Sequence, residues 1–192
     1  MRIAVYGGAS PKPGEPAYEE AHLLGGLLAK AGHVVMTGGY IGVMEGASRG
    51  AHEAGGHVIG STCQQLEDWR GTKANAWVKE EWKHQTLRDR MYALIDQCDA
   101  AIIMPGGVGT LAELAVMWNE EIISSNKPRL MITVGKGWQE IIKLFIAEQG
   151  TYLHLHDQKR VFCAADIHEA VSIVEQFENG TLELISHPGP KK

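Results

Sequence analysis

The sequence predicts an α/β fold, a single-domain Rossmann-like parallel sheet with helices on both faces. Three observations predict it. Short apolar runs such as Arg2–Tyr6, His33–Thr37 and Asp99–Met104 alternate with longer runs of helical period. Glycine clusters stand at the carboxyl ends of those short runs, where open parallel sheets place their ligands. Strand–helix units repeat within the first sixty residues, which calls for right-handed crossovers and parallel pairing. The 192 residues suffice for one such domain with a sizeable core. We expect it to occupy residues 1–180, with 181–192 a flexible tail.

The elements follow in order. Arg2–Tyr6 reads as a buried strand, then Gly7-Gly8-Ala9-Ser10 as a turn and Pro11–Pro16 as a proline-rich loop. Ala17–Ala31 reads as a helix with Leu23, Leu24, Leu27 and Leu28 on one face, stopped by Gly32. His33–Thr37 is the second strand, Gly38–Gly42 the second glycine turn, Val43–Ala54 a helix and His57–Gly60 a short third strand. Ser61–Asn75 lacks periodicity and reads as loop with short helical pieces; Ala76–Trp82 alternates enough for a strand. Thr86–Cys98 is helical, with Leu87, Met91, Leu94 and Ile95 on its apolar face. Asp99–Met104 is the central strand, and Leu111–Ile123 the helix behind it. Arg129–Val134 and Val161–Cys163 complete the strands, with helices at Trp138–Gln149 and Ile167–Phe177.

Composition excludes several classes. The net charge of −5, with no long basic run, argues against nucleic acid and against a polybasic membrane surface as partners. No apolar run reaches the length of a membrane span. The N-terminus enters a strand at once, so no signal peptide is expected. Cys63, Cys98 and Cys163 have no metal or redox spacing and read as reduced core residues. We therefore expect a cytoplasmic protein without metal or other cofactor. His154-Leu155-His156-Asp157 lacks a third ligand pattern and reads as a surface loop.

The chain is organised around Pro105-Gly106-Gly107-Val108-Gly109-Thr110-Leu111-Ala112-Glu113. Strand, glycine turn and helix make an anion site, because the free N–H groups and positive dipole of the helix start face the ligand. Gly106, Gly107 and Gly109 let a phosphate approach the backbone, and Thr110 adds a hydroxyl. The segment is neither a Walker A loop nor a dinucleotide fingerprint. Glu113 lies about one turn in, and a carboxylate beside a phosphate turn is a candidate for chemistry. Thr-x-x-Glu is also a capping box, with Thr110 as N-cap, and both readings stand at this point. A nucleotide can lie across the three glycine turns, with phosphate at Gly107–Thr110, including Val108, and with Gly8, Ser10, Gly39 and Met44 near the ribose or base.

Pro-Gly-Gly-x-Gly-Thr-x-x-Glu with Arg90 upstream resembles the Lonely Guy family of nucleoside 5′-monophosphate phosphoribohydrolases, from Val5 to about Val134. The resemblance implies release of free base from a nucleotide of the AMP or cytokinin riboside monophosphate type. It implies Arg90 and Glu113 as catalytic residues, and a homodimer packed beside the helix that carries Trp118. Relatives of this fold act as molybdenum cofactor carriers, so a non-catalytic carrier of a phosphorylated pterin is the alternative. The chain departs from the family at Arg88-Asp89-Arg90-Met91, which lacks the usual lysine, and at Tyr40, Glu45 and Ser61 on the side where the base is expected.

Overall fold

A computed structural model describes residues 1–123, 128–182 and 184. Seven strands form one parallel sheet: β1 Arg2–Tyr6, β2 Val34–Thr37, β3 Val58–Cys63, β4 Glu80–His84, β5 Ala100–Ile103, β6 Leu130–Val134 and β7 Val161–Ala164. Seven α-helices connect them among the described residues: α1 Pro16–Lys30, α2 Val43–Glu53, α3 Gln64–Arg70, α4 Leu87–Asp96, α5 Val108–Ile123, α6 Lys136–Gln149 and α7 Ile167–Glu178. The strand order is β4-β3-β2-β1-β5-β6-β7. The chain builds outward from β1 to β4, then returns across the sheet to β5. That reversal puts a crevice at the carboxyl ends of β1 and β5.

Alternation along each strand divides the core between the faces. Ile3 and Val5 pack with Leu24, Leu28, Ala47 and Val174 of α1, α2 and α7. Ala4 and Tyr6 pack with Leu94, Leu114, Met117 and Ile142 of α4, α5 and α6. Both faces are covered, which is why the strands are apolar throughout. Among the described residues, no helix is long and apolar enough to cross a membrane.

Several sequence expectations need correction. β3 runs three residues past Gly60, because Ser61, Thr62 and Cys63 pair with Trp82, Lys83 and His84 and are buried. β4 starts at Glu80, not Ala76, and is an edge strand with mostly exposed charges. Leu23 and Leu87, assigned to apolar faces, are 46% and 44% exposed. On α1 the buried stripe is Tyr18, Ala21, Leu24, Gly25 and Leu28, one position round. Trp118, open between core and interface in the sequence, is buried and donates its indole N–H to the Asp157 carbonyl at 2.9 Å. His154 and His156 stack on each other, Asp157 binds Arg160 at 2.8 Å, and no metal-ligand cluster exists among the described residues. All three cysteines are free. Most of the expected tail lies outside the described residues.

Candidate active site

The largest change from the sequence expectation lies at the organising turn. α5 begins at Val108, three residues before Leu111, and its first backbone bond runs from Leu111 N–H to the Gly107 carbonyl at 3.0 Å. Thr110 is therefore the third helical residue and buried, not an N-cap. The capping-box reading of Glu113 falls with it. The N–H groups of Val108, Gly109 and Thr110 belong to the first turn, where helix geometry provides no internal partner. They stand at the mouth of the crevice with the positive end of the α5 dipole.

The glycines of this turn do different things. A Cβ on Gly106 would run into the Thr110 side chain and crowd the Gly8 N–H, so packing demands glycine there. A Cβ on Gly107 or Gly109 would meet no protein atom within 4 Å. The turn is tied to the one after β1 by the Gly8 N–H, which donates to the Pro105 carbonyl at 3.1 Å. The Gly8 carbonyl in turn accepts from Val43 N–H at 2.9 Å, fixing the start of α2. Three glycine turns are thereby joined into one floor.

Above this floor is a cavity of about 340 Å³. Its lining includes Gly8, Ser10, Met44, Arg90, Gly107, Val108, Gly109, Thr110 and Glu113. Gly39 and Gly106, the other expected contacts, are not part of the wall; Gly39 packs on Thr62 and Gly60. Gly38 and Tyr40 of the second glycine turn also line it, as do Tyr6, Leu66, Arg70 and Leu87, to which the sequence assigns no site role.

Arg90 comes from α4 and is 6% exposed. Its Nε donates to the Ser61 carbonyl at 2.8 Å, and the guanidinium lies 5.7 Å from the centre of the Tyr40 ring. The Tyr40 hydroxyl is itself locked, accepting from Cys63 N–H at 2.8 Å and donating to the Cys63 carbonyl at 3.0 Å. Such a buried side chain, fixed through backbone and ring face, has little rotamer freedom left to lose on binding. Thr86 caps α4 by accepting from Asp89 N–H at 3.1 Å, which sets the helix that presents Arg90.

Glu113 is 9% exposed, and its Oε1 lies 3.6 Å from Nη1 of Arg90. Burial pushes its pKa up to about 7, with Arg90 pulling the other way. Desolvation therefore outweighs the ion pair, and the carboxyl changes charge near neutral pH. A carboxyl so poised in a crevice is a physical signature of a functional group. The site thus joins a dipolar anion cradle to a buried arginine–carboxyl pair on one wall. This arrangement can hold a phosphate at one end and stabilise positive charge, or activate a water, at the other.

Residues 1–171 match the SLOG cluster4 family. A protein of Archaeoglobus fulgidus is 32% identical over 133 residues, 69% of this chain and 83% of that one. The cytokinin riboside 5′-monophosphate phosphoribohydrolase LOG7 of Arabidopsis thaliana is 28% identical over 191 residues, 96% of this chain and 86% of that one. Among solved structures, the molybdenum cofactor binding protein of Rippkaea orientalis has a TM-score of 0.71 at 24% identity, covering 92% of this chain and 96% of that one. That likeness is one of fold. The phosphoribohydrolase relatives agree with the resemblance read from the glycine motif.

Proposed function

The chain belongs to the SLOG cluster4 family, and on that footing we propose that it hydrolyses the N-glycosidic bond of a nucleoside 5′-monophosphate, releasing free base and ribose 5-phosphate. The observation that carries this reading is the buried Arg90–Glu113 pair, 3.6 Å apart, on the wall of the cavity floored by the glycine turns.

The phosphate sits on the N–H groups of Val108, Gly109 and Thr110, and the remote binding energy holds the sugar in reacting geometry. As the C1′–N bond breaks, its electron pair leaves with the base, and positive charge develops on the ribose. Glu113, ionised, stabilises that charge and orients the water whose oxygen forms the new C1′–O bond. The water's proton passes to Glu113 and from there to solvent or the departing base, so the carboxylate is regenerated. Arg90 clamps ribose hydroxyls or phosphate through its N–H groups and keeps Glu113 ionised more than burial alone would. Ser10 and Met44 line the same cavity, and on this reading they contact the ribose or the base. The mechanism needs no metal or other cofactor.

The alternative, a carrier of a phosphorylated pterin, uses the cradle but has no chemical need for the arginine–carboxyl pair. Relatedness of fold does not choose between the two. Incubation with AMP, a prenylated AMP, GMP, CMP and IMP, followed by chromatography for free base, tests the reading. Base release supports it; tight pterin binding with no release from any nucleotide moves the protein to the carrier class. The homodimer implied by the family resemblance belongs to the same proposal. Val108 and Leu111, 84% and 47% exposed on α5, offer apolar surface for it; light scattering at micromolar concentration would measure its mass.

A further inference from the structure

Sheet order sets the length of the crevice. β5, which feeds the phosphate turn, and β3, which feeds α3, are three strand spacings apart, about 14 Å. A nucleotide with its phosphate on the α5 start therefore directs its base toward α3. The cavity wall there carries Leu66 and Arg70.

Arg70 is well placed to read a ligand. It lines the cavity, and no carboxylate pairs with it among the described residues. Its guanidinium lies 5.1 Å from the centre of the Trp69 ring. That contact uses no N–H hydrogen bond, so the guanidinium donors remain available to a ligand. The helix beneath it is anchored. Gly71 in the left-handed region, at φ 64°, closes α3 by donating to Glu67 O at 2.8 Å, and the Glu67 carboxylate holds Lys83 at 2.7 Å. Gln65 accepts from Leu87 N–H at 2.9 Å, which joins α3 to the start of α4.

The acceptor inventory of the cavity is one-sided. Glu113 is the one carboxylate among its described lining residues, it faces Arg90, and no Asn or Gln lines the wall. The Tyr40 hydroxyl is committed to Cys63. The base end thus presents a fork of donors from Arg70 and, beside the Ser10 hydroxyl, no side-chain carboxylate or amide oxygen.

We propose that Arg70 is the residue that determines base specificity, and that the preferred substrates are 6-oxopurine nucleoside monophosphates such as IMP and GMP. This rests on the nucleotide reading of the same site. Hypoxanthine and guanine offer O6 and N7 side by side, the pair of acceptors that a guanidinium fork fits. Adenine places an amine where O6 stands. Adenine keeps N7, but arginine has no acceptor, so the 6-amine N–H and the guanidinium N–H that faces it would lie unpaired. Sites built on such a hydrogen bond reject the mismatched analogue strongly.

The test measures Kd by calorimetry for IMP, GMP, AMP and ribose 5-phosphate on the wild-type protein, R70A and R70K, with base release followed in parallel. IMP and GMP should bind at least about tenfold tighter than AMP. R70A should bring that ratio close to one, R70K should lower it, and neither should change ribose 5-phosphate binding by more than about twofold. A wild-type ratio at or below one, a ratio that survives R70A, or an equal loss of ribose 5-phosphate affinity overturns the assignment. No measurable binding of any nucleotide overturns it as well. The two readings fail separately: an Arg70-dependent ratio without base release removes the hydrolase and keeps the specificity, and base release without the ratio does the reverse.

Discussion

The guanidinium of Arg90 fills the space in which a side chain on Gly38 would stand. A Cβ built on Gly38 falls on the Nη2 end of Arg90 and close to the Met44 sulfur. The second glycine turn is therefore open at Gly38 to admit an arginine from α4, which then meets Glu113 from α5. Three elements distant in sequence converge on one ion pair.

Gly38→Ala should displace the Arg90 fork and separate it from Glu113. Turnover should fall by about a hundredfold, since small misplacements at a reacting centre cost that much. Stability should fall by about 1–3 kcal/mol from overpacking. Urea unfolding and base-release kinetics on the same preparation check both parts.

Gly107→Ala should behave differently. Its Cβ meets no protein atom, so the urea midpoint should stay near wild type. Ligand affinity should drop by about tenfold or more, because the methyl group occupies the path of the phosphate to the helix start. Calorimetry with ribose 5-phosphate measures it. Unchanged affinity would move the phosphate away from this turn.

Glu113 makes both activity and stability depend on pH. Its pKa is raised from an ordinary value of 4.5 to about 7, so the folded state binds its proton more tightly than the unfolded chain does. The associated stability is present below about pH 4.5 and is lost as pH rises to about 7. At about 1.4 kcal/mol per pH unit, that window is worth about 3 kcal/mol. Glu113→Gln cannot ionise. The wild-type protein should therefore lose about 3 kcal/mol relative to this variant between pH 4.5 and 7, and nothing more above pH 8. Denaturant titrations of both proteins across that range give the difference directly. On the proposed mechanism the ionised form is the active one, so kcat/KM should rise with pH along a limb centred near 7.

How far the sequence reveals this molecule depends on where the decisive partner lies. β1, β2, β5 and β6 were legible because strands covered on both faces are apolar along their whole length. The end of β3 was not. Ser61, Thr62 and Cys63 look like loop residues until Arg90, Glu81 and Tyr40, respectively, supply hydrogen-bond partners. The early start of α5 was hidden by Gly109, a poor helix former tolerated in a first turn. Arg90 resembles its neighbours Arg88 and Asp89 in the sequence, and only its fit against Gly38, Tyr40 and Glu113 sets it apart. Arg70 left almost no trace. A seven-residue helix is too short for periodicity to register, and the one available signal was Gly71, which closes it.

On the proposed mechanism the Arg90–Glu113 pair performs chemistry rather than holding two helices together. This role is tested most directly by comparing wild type and Glu113→Gln in a single-turnover assay with a nucleoside monophosphate at pH 8, with nucleotide binding measured alongside. We expect base release by the wild-type protein, a loss of at least about a thousandfold in the variant, and a Kd changed by less than about tenfold. Wild-type turnover in Glu113→Gln would contradict this role and reduce the pair to a structural contact.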